Sequence, residues 1–435
     1  LLLSPNKNNT PEAMAIIDAT HYLDQLLSAA ELERIAKAVG FCQRRRDITP
    51  AALVSALLSG LGCDKVDGIA GLHRHFNGLQ LTASQQVAYK PFHNQLRKET
   101  FPVFMKRLVE RAIALRLKQS MAEKTMLSCF RQVLLHDGTS FALHPQLAER
   151  FPGRFKTVSP AAVECHMTMS LLEQCPLHMS ISADTEPERK YLPEAATMSN
   201  SLILADAGYV DRSYFTELDQ AGGSYLVRGT QGLNPVVITA YRSDGKALQR
   251  LAGKPIKDIN RRTCREEVLD MDVRSGKFRY RLIRRWFAEE KRFCLWMTNL
   301  PRTNWSAAQI MSLYRCRWQV ELLFKELKSH NRLKAFATKQ AALADGLIWA
   351  SLLSLLVKRR LAQTLAGKQT LSMLKAAKNA AIWLAPILEA KLHGARSDMR
   401  MRLESAETYL VTNARKAKQR KTIENKTLDG ILNAF

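Results

Sequence analysis

Cysteine is scarce in this chain and lacks the spacing of a metal site. Its eight cysteines among 435 residues form no C-x-x-C pair and follow no regular interval. Structural zinc sites and disulfide-rich secreted domains need closely and regularly spaced cysteines. We therefore expect a reduced, cytoplasmic protein without structural zinc.

Long hydrophobic runs are also lacking. The most apolar window, residues 346–357 (GLIWASLLSLLV), has only 12 residues and is bounded by Asp345 and by the basic triplet 358–360. A membrane-spanning helix needs about 18 or more apolar residues, so we expect a buried helix and no membrane partner. The apolar start, residues 1–3, runs directly into a polar stretch, so we expect no export signal.

Acidic residues are few in the second part of the chain. Residues 251–435 carry 37 basic and 16 acidic side chains, whereas residues 1–250 carry 28 and 24. The chain is 46% apolar, too much for a disordered polycation, and its length suits about two to four domains. A strongly basic half predicts a polyanionic partner that contacts this half.

We divide the chain into five segments. They are 1–127, 128–232, 233–301, 302–360 and 361–435. The first has helical spacing of its apolar residues, and the second alternates short β-rich runs with helices, which indicates a mixed α/β sheet. The third is β-rich, with a hairpin expected around Ser275-Gly276, and the last two are helical. This order predicts a mixed α/β sheet that is followed by a further β-rich segment, with helical regions at both ends of the chain.

Short helices separated by tight turns are expected between residues 67 and 96. This arrangement would suit a helix-turn-helix-like reader of DNA. An ordinary helical bundle with basic surface residues explains the pattern equally well, and both interpretations stay open. His73 and His75 lie here without neighbouring cysteines, so we expect them to be surface residues.

Two aspartates come directly after apolar strands of the second segment. Asp137 follows the strand VLL and Asp206 follows LILA, so we expect each at the carboxyl end of a strand, where sites of open α/β sheets collect. His136 should point to the opposite face and pack there. Tyr209 and Arg212 are candidates to orient Asp206 or a phosphate.

A third acidic residue lies on a helix predicted over residues 314–328. At 100° per residue, four functional side chains share an arc of about 60°. They are Tyr314, Arg317, Glu321 and Lys328. Apolar residues flank this stripe, and a helix packed on the sheet by those flanks would direct it to the two aspartates. A stripe of this kind on its own is usually a solvated face.

Three converging carboxylates predict a metal site. Carboxylates repel one another, and hard cations with oxygen ligands relieve that repulsion. Phosphodiester cleavage uses such a cluster with two Mg²⁺ ions about 3.5–4 Å apart, and we expect Mn²⁺ to substitute. Asp137 is expected to bridge both ions, and Asp206 and Glu321 to bind one each. Arg317 and Lys328 are expected to hold phosphates beside them.

The motifs resemble those of a known family. The spacing Y-x2-R-x3-E-x6-K at residues 314–328 resembles the Y-R-E-K signature of bacterial cut-and-paste DDE transposases of the insertion sequence four family. LLHDGTSF around Asp137 and LILADAGYVDR around Asp206 resemble the two aspartate motifs of that family. The resemblance covers roughly residues 131–335.

The resemblance implies a ribonuclease H-like catalytic core with a β-rich insertion, an N-terminal domain that binds terminal inverted repeats, and helical C-terminal contacts in a homodimeric synaptic complex. It implies that double-stranded DNA is cut at the transposon ends, through a hairpin intermediate, and that the 3′ ends are joined to target DNA. The expected location is the bacterial cytoplasm, at the nucleoid. Tyr314 is then implied to contact a phosphate near the hairpin and not to act as a nucleophile.

One departure concerns the aromatic residue that receives a flipped base in relatives that form hairpins. The aligned residue is Cys294, and Trp296 lies two residues later on the same face of its strand. Trp296 is either the stacking platform in a shifted register or a core residue, and Trp286 is a second candidate. Arg228, which closes the strand SYLVRG, is expected either to hold DNA or to form a salt bridge.

Two alternative functions stay open on the sequence. A nuclease or a domesticated relative with the same fold would cleave DNA without moving it. A basic DNA-binding protein without enzymatic activity would explain the charge, but it has no use for the three carboxylates.

Overall fold

The computed structural model describes most of the chain. The described residues are 11–44, 47–63, 65–115, 126–330, 338–367, 369–394 and 396–416. The expectations about the apolar start, residues 1–3, and about the end of the basic C-terminal segment, residues 417–435, lie outside the described residues.

The described part of the N-terminal segment is helical, as predicted. Its helices are α1 (Pro11–Leu27), α2 (Ala29–Ala38), α3 (Pro50–Gly62), α4 (Ile69–Gly78), α5 (Tyr89–Leu96) and α6 (Thr100–Ala114). The hydroxyl of Ser28 accepts a hydrogen bond from the Glu31 amide and so caps α2. Thr49 caps α3 in the same way, and Pro50 occupies the first turn, where a missing N–H costs nothing.

The two histidines of α4 are half-buried, so the expectation that they are surface residues is wrong. The His73 ring lies 2.7 Å from the carbonyl oxygen of Val87, in the segment that leads into α5. The His75 ring lies 2.7 Å from the hydroxyl of Ser59 in α3, and burial lowers the pKa of His75 to about 4. Both rings therefore hold neighbouring helices together.

The middle of the chain forms one mixed sheet. Its strands are β1 (Gln132–Ala142), β2 (Pro152–Phe155), β3 (Ser159–Ser170), β4 (Cys175–Ala183), β5 (Ser201–Ala205), β6 (Ser224–Gly229), β7 (Val236–Arg242), β8 (Val268–Ser275), β9 (Phe278–Phe287) and β10 (Arg292–Thr298). The order is β2-β3-β1-β5-β6-β10-β9-β8-β7, and β4 pairs with β3. The mixed α/β fold predicted from the sequence is confirmed.

The pairing changes direction at β1. This strand pairs antiparallel with β3, which pairs antiparallel with β4, whereas β1 pairs parallel with β5 and β5 pairs parallel with β6. Helix α7 (Arg212–Gln220) makes the crossover that a parallel β5–β6 pair requires. Two aspartate-bearing segments thus run side by side in the same direction.

The β-rich segment extends the same sheet. Strand β10 pairs with β6, and β9, β8 and β7 follow in antiparallel order. The hairpin between β8 and β9 lies at the predicted place, where Gly276 adopts φ +62°, a left-handed conformation that favours glycine. The β-rich segment is therefore continuous with the rest of the sheet through its last strand, β10.

Helices follow the sheet to the end of the described residues. They are α8 (Ala307–Tyr314), α9 (Trp318–His330), α10 (Ala341–Ala366), α11 (Met373–Lys378), α12 (Ala380–Leu392) and α13 (Arg396–Asn413). The single helix predicted over residues 314–328 is wrong in one respect, because a 3-10 turn at Arg315–Arg317 separates α8 from α9. Such a turn tightens the backbone to three residues per turn.

Helix α10 contains the most apolar window and is buried, as predicted. It packs against α6 and α3, and 89% of its most apolar stretch is enclosed by the protein, although its length and composition would suffice to cross a membrane. The basic residues Lys358, Arg359 and Arg360 are buried as well. The apolar window at residues 346–357 did not predict their burial, because charged residues are seldom buried without a partner.

Candidate active site

The register of β1 and β5 brings the two aspartates together. The last parallel pair is Leu135 with Leu204, and each aspartate lies two residues beyond its leucine. Asp206 directly follows β5, as predicted. Asp137 does not follow its strand, since β1 continues to Ala142 and pairs with β3 along this stretch. Asp137 therefore lies beyond the residues of β1 that pair with β5, but it still pairs with β3.

Helix α9 brings the third carboxylate to the same face of the sheet. Its buried apolar side chains include Val320, Leu323 and Leu327, and it packs on β1. Side chains alternate along a strand, so Asp137 lies on the same face as Leu135, which belongs to the core beneath α9. Glu321, in the first turn of α9, faces Asp137 across this contact.

Arg317 lies between two of the acids. One terminal nitrogen of its guanidinium lies 2.7 Å from a carboxylate oxygen of Asp137, and the other pairs with Glu321. Tyr314 donates from its hydroxyl to the third acid, Asp206, at 3.3 Å. The structure therefore brings together five of the residues predicted for the site.

The charges of the site act strongly on one another. Burial raises the pKa of Asp137 to about 6, and the nearby charges of Asp206 and Glu321 also raise it. Arg317 and the Gly138 amide, which donates to Asp137 at 3.0 Å, act in the opposite direction and lower this pKa. The net direction is upward, so Asp137 keeps its proton to a higher pH than an exposed aspartate does.

Arg317 shows the same coupling from the cationic side. Burial alone lowers the pKa of Arg317, but Tyr314 and the neighbouring acids raise it, and the net direction is upward. Burial also raises the pKa of Tyr314, so its hydroxyl stays protonated and is available as a hydrogen-bond donor. The site is thus an acidic cluster in which the guanidinium of Arg317 supplies positive charge.

The donor set suits a hard divalent cation. Carboxylate oxygens are the ligands that Mg²⁺ and Mn²⁺ prefer, and burial, the main cause of the raised pKa of Asp137, disfavours its negative charge unless a cation is nearby. In the described part of the chain, no group of three His, Cys, Asp or Glu side chains is close enough to hold a metal as it stands. Arg317 fills the space between Asp137 and Glu321, and a metal ion there requires that its guanidinium moves aside.

Comparison with known proteins decides the family. The family model described as "Transposase DDE domain" matches residues 128–357, which is more than half of the chain. The chain belongs to the DDE transposase domain family. The matched range contains both aspartates, Glu321 and all ten strands.

Individual relatives match shorter parts. The transposase for insertion sequence element IS421 of Escherichia coli is 47% identical over 60 residues, which are 14% of this chain and 16% of that protein. The transposase for insertion sequence element IS1151 of Clostridium perfringens is 25% identical over 246 residues, 48% of this chain and 52% of that protein. The chain thus spans about half, or less, of the length of these relatives.

One solved structure also resembles this chain. It is the piggyBac transposase synaptic complex with hairpin DNA, with 12% identity and a TM-score of 0.46, and the likeness covers 94% of this chain and 88% of the other.

Two further residues that were predicted to bind DNA lie at the edge of the carboxylate cluster. Lys328 donates from its ammonium group to the carbonyl oxygen of Ser140 in β1 at 3.0 Å, so it ties α9 to the strand that carries Asp137. Arg228 lies within β6, and its guanidinium is 3.7 Å from the sulfur of Cys294. Among the described residues, Arg228 forms no ion pair. Contacts of either residue with DNA stay predictions.

The candidate stacking residues are packed in the protein. Trp296 is 8% exposed and meets Tyr314 edge-on, with ring centres 6.4 Å apart. Cys294 lies in the same core cluster, so the two residues share a face as predicted. Trp286 is half-buried and packs edge-on against Phe293 at 4.7 Å. The core interpretation describes Trp296 here, and its role toward a flipped base stays a prediction.

Sequence reasoning missed a buried acid behind the site. Glu164, on β3, is 3% exposed, and burial raises its pKa to about 7. Its carboxylate lies over Gly138, where a Cβ atom would come within 2.4 Å of Glu164 Oε1 and 3.1 Å of the Tyr209 hydroxyl. A glutamate inside the apolar run AAVECHMTM was the available signal, because charged residues are seldom buried without a partner.

His136 lies on the face of the sheet opposite to Asp137, as predicted. Its ring is 1% exposed, lies 2.9 Å from the hydroxyl of Thr168 and meets Tyr209 edge-on. Burial lowers the pKa of His136 to about 3, so the ring is neutral. It is a packing residue behind Asp137 and points away from the carboxylate cluster.

Proposed function

We propose that this protein is the transposase of a bacterial insertion sequence, and that it cuts the ends of its element and joins their 3′ ends to target DNA. The observation that carries the proposal is the register of β1 and β5, which places Asp137 beside Asp206, with Glu321 facing them from α9. Membership of the DDE transposase domain family supports it. A basic DNA-binding protein without enzymatic activity has no use for this cluster.

The three carboxylates are proposed to hold divalent ions, two Mg²⁺ with Mn²⁺ as a substitute. When bound, such ions activate the attacking and leaving oxygens of a phosphodiester. Asp137 would serve as the ligand shared by both ions. Burial is the main cause of its raised pKa, and the charges of both Asp206 and Glu321 also act on it, which supports this assignment.

Arg317 is proposed to exchange its carboxylate partners for a DNA phosphate. Its two terminal nitrogens already make a two-point contact with Asp137 and Glu321. Arginine forms the same two-point contact with phosphate oxygens. Movement of the guanidinium onto the DNA would leave both carboxylates free for metal binding, so substrate binding and metal binding would support each other.

The finer assignment is to the insertion sequence four family with its Y-R-E-K signature. Tyr314, Arg317, Glu321 and Lys328 supply the signature positions. The sheet order supports a ribonuclease H-like core, because three antiparallel strands, β4, β3 and β1, are followed by the parallel strands β5 and β6. A hairpin intermediate, with Trp296 or Trp286 beside the flipped base and Arg228 on the DNA, belongs to the same proposal.

The partners are proposed from charge and position. Terminal inverted repeats are assigned to the N-terminal helices, and flanking and target DNA to the basic residues 251–435. A homodimer in the synaptic complex and a cytoplasmic, nucleoid-associated location follow from the same function. No membrane partner is proposed.

A nicking and joining assay tests the proposal. Supercoiled plasmid that carries the ends of the element is incubated with Mg²⁺ or Mn²⁺ and the parent protein, or with Asp137→Ala, Asp206→Ala or Glu321→Ala. We expect cutting and joining by the parent, and neither by the three variants although they still bind end DNA. Glu217→Ala, which removes an exposed acid of α7, is the matched control and should act like the parent.

Each other outcome has a clear meaning. Cutting without joining by the parent would identify a nuclease. Variants that nick as well as the parent would overturn the catalytic assignment, and a parent that binds DNA without cutting it under any of these conditions would overturn the enzymatic function.

A further inference from the structure

A buried charged cluster lies on the side of α9 that faces away from the active site. Glu326 is 1% exposed, and its carboxylate lies 2.8 Å from Arg359 and 3.9 Å from Lys358, both on α10. At 100° per residue, Glu326 is about 140° around α9 from Glu321. One side of the helix therefore presents the catalytic acid, and the nearly opposite side is anchored in the protein.

Lys358 connects this anchor to the N-terminal helices. Its side chain is fully buried, and its ammonium group donates to the carbonyl oxygens of Gly62 and His330, each at 3.3 Å. These residues end α3 and α9, and the last carbonyls of a helix have no partner within the helix. A cation at this position also interacts favourably with both helix dipoles. One ammonium group thus caps two helices from different parts of the fold.

The surrounding contacts leave little freedom. The Ser354 hydroxyl donates to the carbonyl oxygen of Leu58, and a Cβ atom on Gly62 would come within 1.9 Å of Ser354 Oγ, so α3 and α10 touch at this glycine. Arg359 also donates to the carbonyl oxygen of Gln174, in the turn between β3 and β4, at 3.4 Å. The cluster therefore joins α9 to α3, to α10 and to the sheet.

We propose that Glu326, with Lys358 and Arg359, is a positioning residue for Glu321. The ion pairs of Glu326 with Lys358 and Arg359 set the rotation of α9 and its height over β1. Through Lys358 they also link the position of α9 to that of α3 in the N-terminal helical region. Because buried charges must keep their partners, a shift of α3 or α10 moves α9 with it. This inference rests on the proposed role of Glu321 as a metal ligand.

The first test measures the metal requirement. In Glu326→Gln, we expect the metal concentration for half-maximal nicking to rise about tenfold, with end-DNA affinity unchanged. A residue that only stabilises the fold would reduce the amount of active protein without changing this concentration. Arg360→Met is the matched control, because it removes another buried cation of α10 that packs on Tyr22 of α1. It should leave the metal requirement at the parent value.

The second test does not depend on activity. Hydrogen exchange is followed in peptides from α3 and α9 of the full-length protein. Lys358→Met should speed exchange at the C-terminal ends of both helices, and Glu326→Gln should speed it in α9, whereas Arg360→Met should leave α9 unchanged. Should Lys358→Met prove insoluble, Lys358→Arg and Glu326→Gln carry the same comparison.

The outcomes separate this inference from the proposed function. Parent-like nicking by Glu321→Ala would overturn the proposed function. An inactive Glu321→Ala together with a parent-like metal requirement and parent-like α9 exchange in Glu326→Gln would overturn the inference alone. An effect of Arg360→Met on α9 equal to that of Glu326→Gln would also overturn it, because any buried charge of α10 would then act in the same way.

Discussion

The guanidinium of Arg317 lies 2.7 Å from the carboxylate of Asp137, and both side chains are largely buried. Arg317 also pairs with Glu321, so the positive charge of one guanidinium is shared by two acids of the same site. We therefore expect Arg317 to stabilise the cluster, whereas the sequence predicted that it holds phosphates.

Removal of Arg317 should therefore destabilise the protein in a manner that depends on pH. At about pH 8, Arg317→Met leaves buried carboxylates without a counter-charge and should cost about 3 kcal/mol in the free energy of unfolding. At about pH 5 the loss should be smaller, because Asp137, with its pKa near 6, is then mostly protonated. Urea unfolding at both pH values measures this. Arg107→Met, which breaks an exposed pair with Glu110, should have little effect at either pH. An equal loss for Arg317→Met at both pH values would contradict the charge explanation.

Glu164 should make stability fall as the pH rises. Its pKa in the folded protein is about 7, above the ordinary value of 4.5, chiefly because of burial. Its contribution to stability is thus fully present below pH 4.5 and is lost as the pH rises through about 7. Glu164→Gln stays neutral, so its free energy of unfolding relative to the parent should rise by up to about 3 kcal/mol from about pH 5 to about pH 8. A difference that does not change with pH would show that Glu164 is ionised throughout.

Gly138 should be difficult to replace because two buried side chains lie over it. In Gly138→Ala, the new methyl group would lie closer to Glu164 Oε1 than Cβ atoms approach other atoms, and 3.1 Å from the Tyr209 hydroxyl, so we expect a loss of about 1–3 kcal/mol. Gly78→Ala is the control, since nothing lies within 4 Å of that position in α4. A double-mutant cycle with Glu164→Ala, followed by urea unfolding, should recover most of the loss. The same loss in both backgrounds would place its cause elsewhere.

DNA binding should depend steeply on salt. If the basic half makes about six or more phosphate contacts, the Kd for end DNA should rise by about 10³-fold or more between about 50 and about 200 mM salt. Three exposed basic residues lie around the β8–β9 turn: Arg274, Lys277 and Arg279. Their joint replacement by Gln should reduce the slope of log K against log salt by about one unit for each phosphate that the protein no longer binds. Fluorescence anisotropy titrations measure both quantities, and a flat salt dependence would exclude phosphate contacts as the main source of affinity.

Local sequence patterns were sufficient to predict the helices, the strands and the candidate site residues. Periods of 3.6 and of 2 in the apolar residues show which segments are helices and which are strands, because each period reflects one face of a single element. The spacing from Tyr314 to Lys328 predicted a stripe of candidate site residues, although a 3-10 turn interrupts the helix expected there. The hairpin at Gly276 and the buried helix α10 were likewise predicted from local patterns.

How these helices and strands pack together depends on contacts between distant parts of the chain, which are visible only in the tertiary structure. The register of β1 on β5 sets Asp137 beside Asp206, and register depends on pairing between distant segments that a local period does not contain. Burial of a charge depends on a partner from elsewhere in the chain, so the apolar window at residues 346–357 predicted a buried helix but did not predict that Lys358, directly after it, is fully buried as well. The pairing of Arg317 with Asp137, 180 positions apart, was decided in the same way.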